Sequence, residues 1–194
     1  MSQQVLAQHV YWCLTEDHAV LLDVRKEKYF GAKAQDIALF SSRPQTIYHQ
    51  PVAALIDGYQ EERERIYLRD VLQFLKASMW SVTLLRFRRF EDVVHRLEKR
   101  KRSSHIATAA DLGGLRSLVA IFLRLQPLLL STKRQCLRNS LALLEFLAAY
   151  GVTATWIIGV HTRPFEAHAW VQQAGVVLND TPDHVRRYTP ILTV

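Results

Sequence analysis

The hydrophobic pattern changes from a strand period to a helix period within the first 80 residues. Short apolar runs at residues 9–13, 19–24 and 27–30 are separated by polar turns, which predicts a three-stranded meander. Apolar residues three and four positions apart then predict three helices, at residues 34–40, 52–59 and 63–77. Three strands followed by three short helices predict a winged-helix-like module in residues 1–80.

Helical patterns continue beyond this module. They predict helices at residues 80–102, 115–125 and 134–149. The second of them is expected to end before Pro127, because a proline disfavours helix at the residue before it. Gly151 follows the third and provides the left-handed conformation that commonly closes a helix.

Strand patterns follow the last helix. They lie at residues 153–160, 168–172 and 176–178. A short turn that contains Gly175 joins the last two strands, which is typical of a β-hairpin. A helix followed by an antiparallel sheet gives the fold class α+β.

The composition is that of an ordinary globular protein, with 194 residues, 49% hydrophobic and 22% charged. Two cysteines, Cys13 and Cys136, are too few for a disulfide framework or a cysteine-rich zinc site, which favours a reducing cytoplasm. Residues 1–10 lack the basic start and apolar stretch of a signal peptide. The longest charge-free run, the 17 residues 146–162, is shorter than the roughly 20 that span a bilayer. We therefore expect no contact with a membrane.

The positive charge is concentrated in the second part of the chain. Residues 1–80 hold 9 Lys+Arg against 10 Asp+Glu, whereas residues 81–194 hold 16 against 8. The excess is densest at residues 86–102, with 8 basic and 3 acidic residues. This asymmetry predicts two domains, 1–80 and 81–194, joined by a basic helical connector at 81–105. A nucleic-acid partner is not expected, because the winged-helix-like part itself carries no net positive charge.

The chemistry of the C-terminal part centres on Cys136, which is expected in the first turn of the helix at 134–149. A helix N-terminus carries a partial positive charge that favours the thiolate, and the thiolate is the nucleophilic form of cysteine. The backbone N–H of Cys136 could also stabilise an oxyanion, and the side chain of Gln135 is a second candidate donor.

Two residues in the predicted sheet complete a candidate triad with this cysteine. His168 opens one strand, and Asp180 comes 12 residues later, at the end of the next strand of the hairpin. Antiparallel strands joined by a tight turn can bring the carboxylate beside the imidazole. A nucleophile, a base and a residue that orients the base are the parts needed to activate a thiol. Trp170 shares a strand face with His168 and is a candidate wall of the substrate site.

These residues also resemble a known family, the lasso-peptide B proteins. The similar stretches are CLRNSLALL from Cys136, IGV from Ile158, AHAWV from Ala167 and the pair Asn179-Asp180. The resemblance implies a papain- and transglutaminase-like cysteine peptidase that removes a leader peptide. It implies Cys136 as nucleophile, His168 as general base and acid, and Asp180 as the residue that orients His168.

The N-terminal part is similar to the peptide-recognition element of ribosomally made peptide pathways. Its LLD from Leu21, Tyr29-Phe30 and VLQFL from Val71 carry this second resemblance. It implies that the leader adds as a strand beside the third strand and packs on the third helix, a mode known as β-augmentation. The candidate leader-binding residues are Tyr29, Phe30, Val71 and Leu72.

The resemblance implies two partners, a precursor peptide and an asparagine-synthetase-like cyclase. No cofactor is expected, because Gly113-Gly114 stands without a phosphate-loop lysine. No metal is expected either, because the pair His161 and His168 has no third ligand nearby in the pattern. Two other functions remain open at this point. One is a transamidase that uses the same triad, and the other is a winged-helix DNA-binding regulator with a fused sensor domain.

Overall fold

The computed structural model describes residues 9–15, 18–33, 53–54, 65–103, 112–128 and 135–194. These residues form two β-sheets and five helices, which confirms the α+β class. None of the described helices combines the length and apolar character needed to cross a bilayer.

The first sheet is the predicted meander. Strands β1 (Val10–Leu14), β2 (Ala19–Asp23) and β3 (Lys28–Ala32) pair antiparallel in the order β1-β2-β3. The turn between β2 and β3 forms because Asp23 Oδ1 accepts the backbone N–H groups of Arg25 and Lys26, at 3.0 and 3.1 Å. The central strand β2 is largely buried, and its apolar residues anchor the meander in the core.

The winged-helix module is not confirmed. The helix predicted at residues 34–40 lies outside the described residues. The helix predicted at 52–59 is wrong at Ala53–Ala54, which form strand β4, and the rest of that segment is also outside the described residues. The two alanines leave helical geometry because their backbone pairs in parallel with a later strand, a contact that the local pattern does not contain.

The third predicted helix begins later and ends later than expected. Helix α1 spans Leu68–Phe87, and it starts where the Asp70 carboxylate accepts the backbone N–H of Tyr67 at 2.9 Å. It therefore runs across residue 80, where a second helix was expected to begin. The chain becomes extended at Arg88, and helix α2 covers Phe90–Ser103.

The break between α1 and α2 has a tertiary cause. Glu27, in the turn after β2, accepts the backbone N–H of Phe90 at 3.3 Å. Arg25 in the same turn is paired with Glu91 at 2.8 Å. The meander thus fixes the first turn of α2, and a single helix over 80–102 is wrong.

The remaining helices follow the sequence pattern closely. Helix α3 covers Leu112–Leu125 and ends before Pro127, and helix α4 covers Cys136–Ala149. Gly151 closes α4 with φ 75°, while the N–H groups of Gly151 and Val152 bond the carbonyls of Ala148 and Leu147 at 3.1 Å each. This is the capped helix end that the glycine predicted.

The second sheet has the order β4-β7-β6-β5-β8. Its later strands are β5 (Thr155–Thr162), β6 (Phe165–Gln173), β7 (Val176–Val177) and β8 (Thr189–Thr193). Strand β8 has no counterpart among the predicted elements and pairs with β5, beside the meander strand β1. Helix α5 (Pro182–Val185) is a single turn between β7 and β8.

The main hydrophobic core joins the meander, the helices and the second sheet, and a smaller buried cluster is formed by Ile157, Trp170, Val177, Val185 and Tyr188. Valines and leucines of the meander lie in the same buried cluster as the apolar faces of α1, α3 and α4 and the strands β5 and β6. The core therefore holds α4 and the second sheet against the N-terminal strands.

Candidate active site

Cys136 is the first residue of α4, as the sequence predicted within one turn. Gln135 is the N-cap, and its carbonyl accepts the N–H of Asn139 at 2.9 Å. The helix is held in place by its buried face and by Ser140, whose hydroxyl accepts the indole N–H of Trp156 at 2.7 Å. The thiol is half-buried at a position where backbone N–H groups have no acceptor within the helix.

His168 lies in β6, opposite Gly159 of β5. Only glycine fits at this position of β5. A Cβ there would lie 2.8 Å from the Cβ of Tyr188 and 2.9 Å from the ring of Trp170. Because Gly159 has no side chain, Tyr188 and Trp170 can pack against its backbone, next to strand β6.

Asp180 reaches His168 because of the β6–β7 hairpin. Ala174 and Gly175 have φ of 47° and 85°, the left-handed pair of a two-residue type I′ turn. Beyond the strands, Leu178 N–H bonds the carbonyl of Val171 at 3.0 Å, and Asn179 Oδ1 accepts the N–H of Val171 at 2.8 Å. The chain is thereby held in register until Asp180 Oδ2 lies 2.6 Å from His168 Nε2.

The hydrogen bonds define the tautomer of His168. A carboxylate only accepts, so Nε2 carries a proton that it donates to Asp180, and Nδ1 remains for the sulfur of Cys136. Asp180 thus orients an imidazole whose other nitrogen can accept the thiol proton. The structure brings the three predicted residues together in this order.

The electrostatics favour the charged pair of thiolate and imidazolium. Burial alone would raise the pKa of Cys136, but the hydrogen bond with His168 and the backbone N–H of Ala169 outweigh it and lower the pKa. Burial opposes a charge on His168 as well, yet hydrogen bonds to Asp180 and Cys136 raise the pKa of His168 to about 9. The pKa of Asp180 is lowered against the effect of burial by its bonds with His168 and His184.

The triad opens into a cleft of about 690 Å³. The pattern of the sequence did not single out three residues of its lining, Glu166, His184 and Tyr188. His184 is the most informative of them, because its Nδ1 lies 2.9 Å from Asp180 Oδ2. The run Thr181-Pro182 could have indicated it, since threonine before proline is a common helix start and α5 presents His184 one turn after Asp180.

Among the described residues, the side chains of His168, Asp180 and His184 form a group that could hold a metal ion. The ligand atoms of His168, Asp180 and His184 all lie within 4.8 Å of one another. Direct contacts of 2.6 and 2.9 Å already join them. Ligands bound to zinc at roughly 2.0–2.1 Å in a tetrahedral site stand about 3.3 Å apart, so these spacings are those of hydrogen bonds.

Trp170 does not form a wall of the cleft. It is fully buried, and its ring is stacked behind that of His168 with a centroid distance of 6.0 Å. His168 and Trp170 lie on one face of β6, as the strand alternation predicted, but the side chain of Trp170 is fully buried. Gln135, the candidate oxyanion donor, is not among the residues that line the cleft, and its side-chain oxygen is buried.

The candidate leader-binding residues lie in two separate places. Tyr29 is half-buried and packs edge-to-face on Phe165 at 5.3 Å, while Phe30 is exposed. Burial, followed by the proximity of Cys136, raises the pKa of Tyr29 to about 12. Val71 packs on the core and Leu72 is exposed, but α1 packs chiefly on α4, and β3 is not among its main neighbours. Tyr29 therefore lies near Cys136, whereas Val71 and Leu72 lie on a helix that packs chiefly on α4.

Comparisons with known proteins identify the family of the chain. The profile of the Transglutaminase-like superfamily matches residues 79–193, more than half of the chain. A curated relative, the microcin J25-processing protein McjB of Escherichia coli, is 43% identical over 51 residues, which are 26% of this chain and 24% of the relative. The match thus covers about a quarter of that relative's length. No solved structure matches the chain significantly.

The two matches confirm the resemblance to the lasso-peptide B proteins that the sequence motifs indicated. The matched range includes the helix that carries Cys136, the strand that carries His168, and Asp180, which follows β7. On this evidence the chain belongs to the transglutaminase-like superfamily.

Proposed function

We propose that this protein is a cysteine peptidase that removes the leader from a ribosomally made precursor during lasso-peptide maturation. The observation that carries the proposal is the Cys136–His168–Asp180 arrangement, with a lowered thiol pKa and a raised imidazole pKa. The relative McjB is a microcin J25-processing protein, which supports a peptide precursor as the substrate here.

The reaction follows from the protonation states of the triad. The Cys136 thiolate attacks the scissile carbonyl carbon, and the carbonyl oxygen becomes an oxyanion. The backbone N–H of Cys136, at the start of α4, is the proposed donor to this oxyanion. His168, protonated at Nδ1, then gives that proton to the leaving amine as the C–N bond breaks. Water attacks the resulting thioester while His168 accepts its proton, and the carboxylate product leaves with Cys136 restored.

The leader is proposed to bind at the outer edge of β3. In the order β1-β2-β3, this edge has no strand partner among the described residues. An added strand would pass Tyr29 and Phe30, and the packing of Tyr29 on Phe165 joins this edge to the rim of the cleft. Residues 1–80 remain a predicted recognition domain on this proposal. Val71 and Leu72 would have to reach the leader from α1, which packs chiefly on α4.

A cyclase partner is proposed from the resemblance alone, and the basic stretch is only partly suited to hold it. Arg96 and Arg100 pair with Glu145 at 3.6 and 2.9 Å, and Arg102 pairs with Glu98 at 3.3 Å. The first two pairs join α2 to α4, whereas the third lies within α2. The contact surface would therefore use the exposed arginines near the break, such as Arg88 and Arg89.

The test is mass spectrometry of a candidate precursor peptide, sought among short reading frames near this gene, after incubation with the protein and with Cys136→Ala. We expect cleavage at one peptide bond, absent in the variant. A matched control is Cys13→Ala, which removes the other thiol and leaves the triad intact.

Three other results would contradict the proposal in different ways. Loss of ammonia with a new amide bond would establish a transamidase, because the same thioester would then be attacked by an amine. Cleavage that persists in Cys136→Ala would exclude Cys136 as nucleophile. An intact precursor that does not bind would remove the leader-peptidase function altogether.

A further inference from the structure

A second histidine binds the carboxylate of the triad. Thr181 caps helix α5, and its hydroxyl accepts the backbone N–H of His184 at 3.3 Å. This turn places the His184 ring against Asp180, four residues earlier. Nδ1 of His184 lies 3.0 Å from Asp180 Oδ1 and 2.9 Å from Oδ2.

The direction of these bonds follows from the acceptor. The Asp180 carboxylate has no proton to give, so His184 Nδ1 donates one N–H that is shared between both oxygens. Two further donors converge on the same group. Thr181 N–H binds Oδ1 at 2.7 Å, and His168 Nε2 binds Oδ2 at 2.6 Å. Each oxygen of the carboxylate thus accepts two hydrogen bonds, and the four bonds come from three donors.

A shared donor resists rotation in a way that the other two do not. The torsion about the last bond of an aspartate side chain is broad, and a single donor at each oxygen can follow a turning carboxylate. The N–H of His184 lies between the two oxygens, and rotation in either direction breaks one of its contacts. The orientation of Oδ2 towards His168 therefore depends on His184.

The surroundings of the ring hold it in this place while leaving one side open. It contacts the His168 ring edge-to-face at 4.8 Å and the Tyr188 ring at 5.5 Å. Tyr188 is held in turn by Glu166, which accepts its hydroxyl at 3.2 Å. The titratable groups that face His184 are therefore His168, Asp180 and Tyr188, with Glu166 behind Tyr188. The open side of the ring lines the cleft.

We infer that His184 is a positioning residue, whose Nδ1–H fixes the Asp180 carboxylate and thereby keeps His168 directed at the Cys136 sulfur. The inference deepens the proposed function and rests on it for turnover. It also concerns the reactivity of the sulfur itself, which can be measured without any peptide.

Two substitutions separate the donor from the shape of the side chain. His184→Leu keeps a branched side chain of similar size without a donor. His184→Asn places an amide N–H near the position of Nδ1 without a ring. The readout is the rate of Cys136 alkylation by iodoacetamide as a function of pH, because this rate follows the thiolate. Melting temperatures of both variants check that the fold is retained.

We expect His184→Leu to slow alkylation at neutral pH about tenfold and to move its midpoint to higher pH, since a bond to a charged acceptor is lost. His184→Asn should stay within about threefold of the parent protein. With the precursor as substrate, His184→Leu should lower kcat and leave KM unchanged.

The inference would be overturned by a Leu variant that alkylates like the parent protein, or by an Asn variant as slow as the Leu variant. Failure of the proposed function has a different signature. In that case the parent protein would alkylate rapidly and cleave no precursor, and the comparison of the two variants would still decide the role of His184.

Discussion

The two cysteines of this chain lie in two regions that shift the pKa of a thiol in opposite directions. Cys13 lies in the meander among apolar side chains, and burial raises its pKa to about 12. Cys136 lies at the start of α4, where burial acts in the same direction but donors from β6 outweigh it and lower the pKa. Burial alone makes a thiol inert. Burial combined with a fixed imidazole and backbone N–H groups makes it a nucleophile.

The largest expected effect separates the two thiols by activity. Cys136→Ala should reduce cleavage on the order of 10³-fold or more, because every later step depends on the thioester. Cys13→Ala should leave the rate of cleavage unchanged and cost about 1 kcal/mol of stability through lost packing. Rates from mass spectrometry and melting curves of both variants test this. Equal losses of activity in the two variants would show that the two thiols do not differ in their role in cleavage.

Alkylation measures the same contrast directly. The pKa of Cys13 lies about three units above its ordinary value of 9.0, whereas that of Cys136 lies below 9.0. At neutral pH the thiolate fraction, and with it the rate, should differ on the order of 10³-fold. Peptide mapping after limited iodoacetamide treatment should find the label on Cys136. A label shared equally by both cysteines would show that the donors from β6 do not act on the sulfur.

Asp180→Asn should make the thiol of Cys136 less reactive, and in this respect more like that of Cys13. An amide carries no charge, so the pKa of His168 should fall and less thiolate should form. General acid–base catalysis is worth roughly 10²–10⁴-fold, and we expect a loss of activity on the order of 10². The midpoint of the alkylation profile should move upward in parallel. An unchanged midpoint with full activity would remove Asp180 from the triad.

The pH profile of cleavage should be bell-shaped. Thiolate is lost as pH falls through the lowered pKa of Cys136, and imidazolium is lost as pH rises through the His168 value of about 9. Beyond each limb the rate should fall about tenfold per pH unit. The two limbs belong to the coupled pair and not to either residue alone. Activity that keeps rising beyond the basic limb would show that the amine leaves without a proton from His168.

The smallest expected effect concerns the glycine beneath the histidine strand. Gly159→Ala places a Cβ 2.8 Å from Tyr188 and should cost roughly 1–3 kcal/mol of stability, as overpacking does. Gly114→Ala is the matched control, because that glycine lies in α3 with no atom within 4 Å of the added Cβ. It should stabilise the helix by up to about 1 kcal/mol. Denaturant unfolding of both variants measures the contrast, and two changes of the same sign would contradict it.

The sequence was informative where one local signal determined the structure. The meander, the capped end of α4 at Gly151 and the hairpin at Gly175 all depend on short stretches of chain, and each is present. The candidate triad followed from the start of the helix predicted at 134–149, which places Cys136, and from the hairpin, which places His168 and Asp180. The resemblance to a known family then assigned their roles.

The parts that were missed depend on contacts between distant segments. The break between α1 and α2 is set by Glu27, 63 residues before the amide that it accepts. Ala53–Ala54 are extended because β7 pairs with them. Neither of these two distant contacts leaves a period or a spacing in the sequence. His184 was missed for a different reason: its contact with Asp180, four residues earlier, is local, and the helix start at Thr181-Pro182 was its one signal.

The two-residue turn at Ala174 and Gly175 has a consequence for how this site can vary. Inserting one residue there would shift the following strand by one position and exchange its two faces. Asp180 would then leave His168, although both residues were still encoded. We expect the contact to survive substitutions that keep the left-handed backbone of the turn and to be lost when its length changes. The separation of 12 residues between His168 and Asp180 is therefore set by this turn.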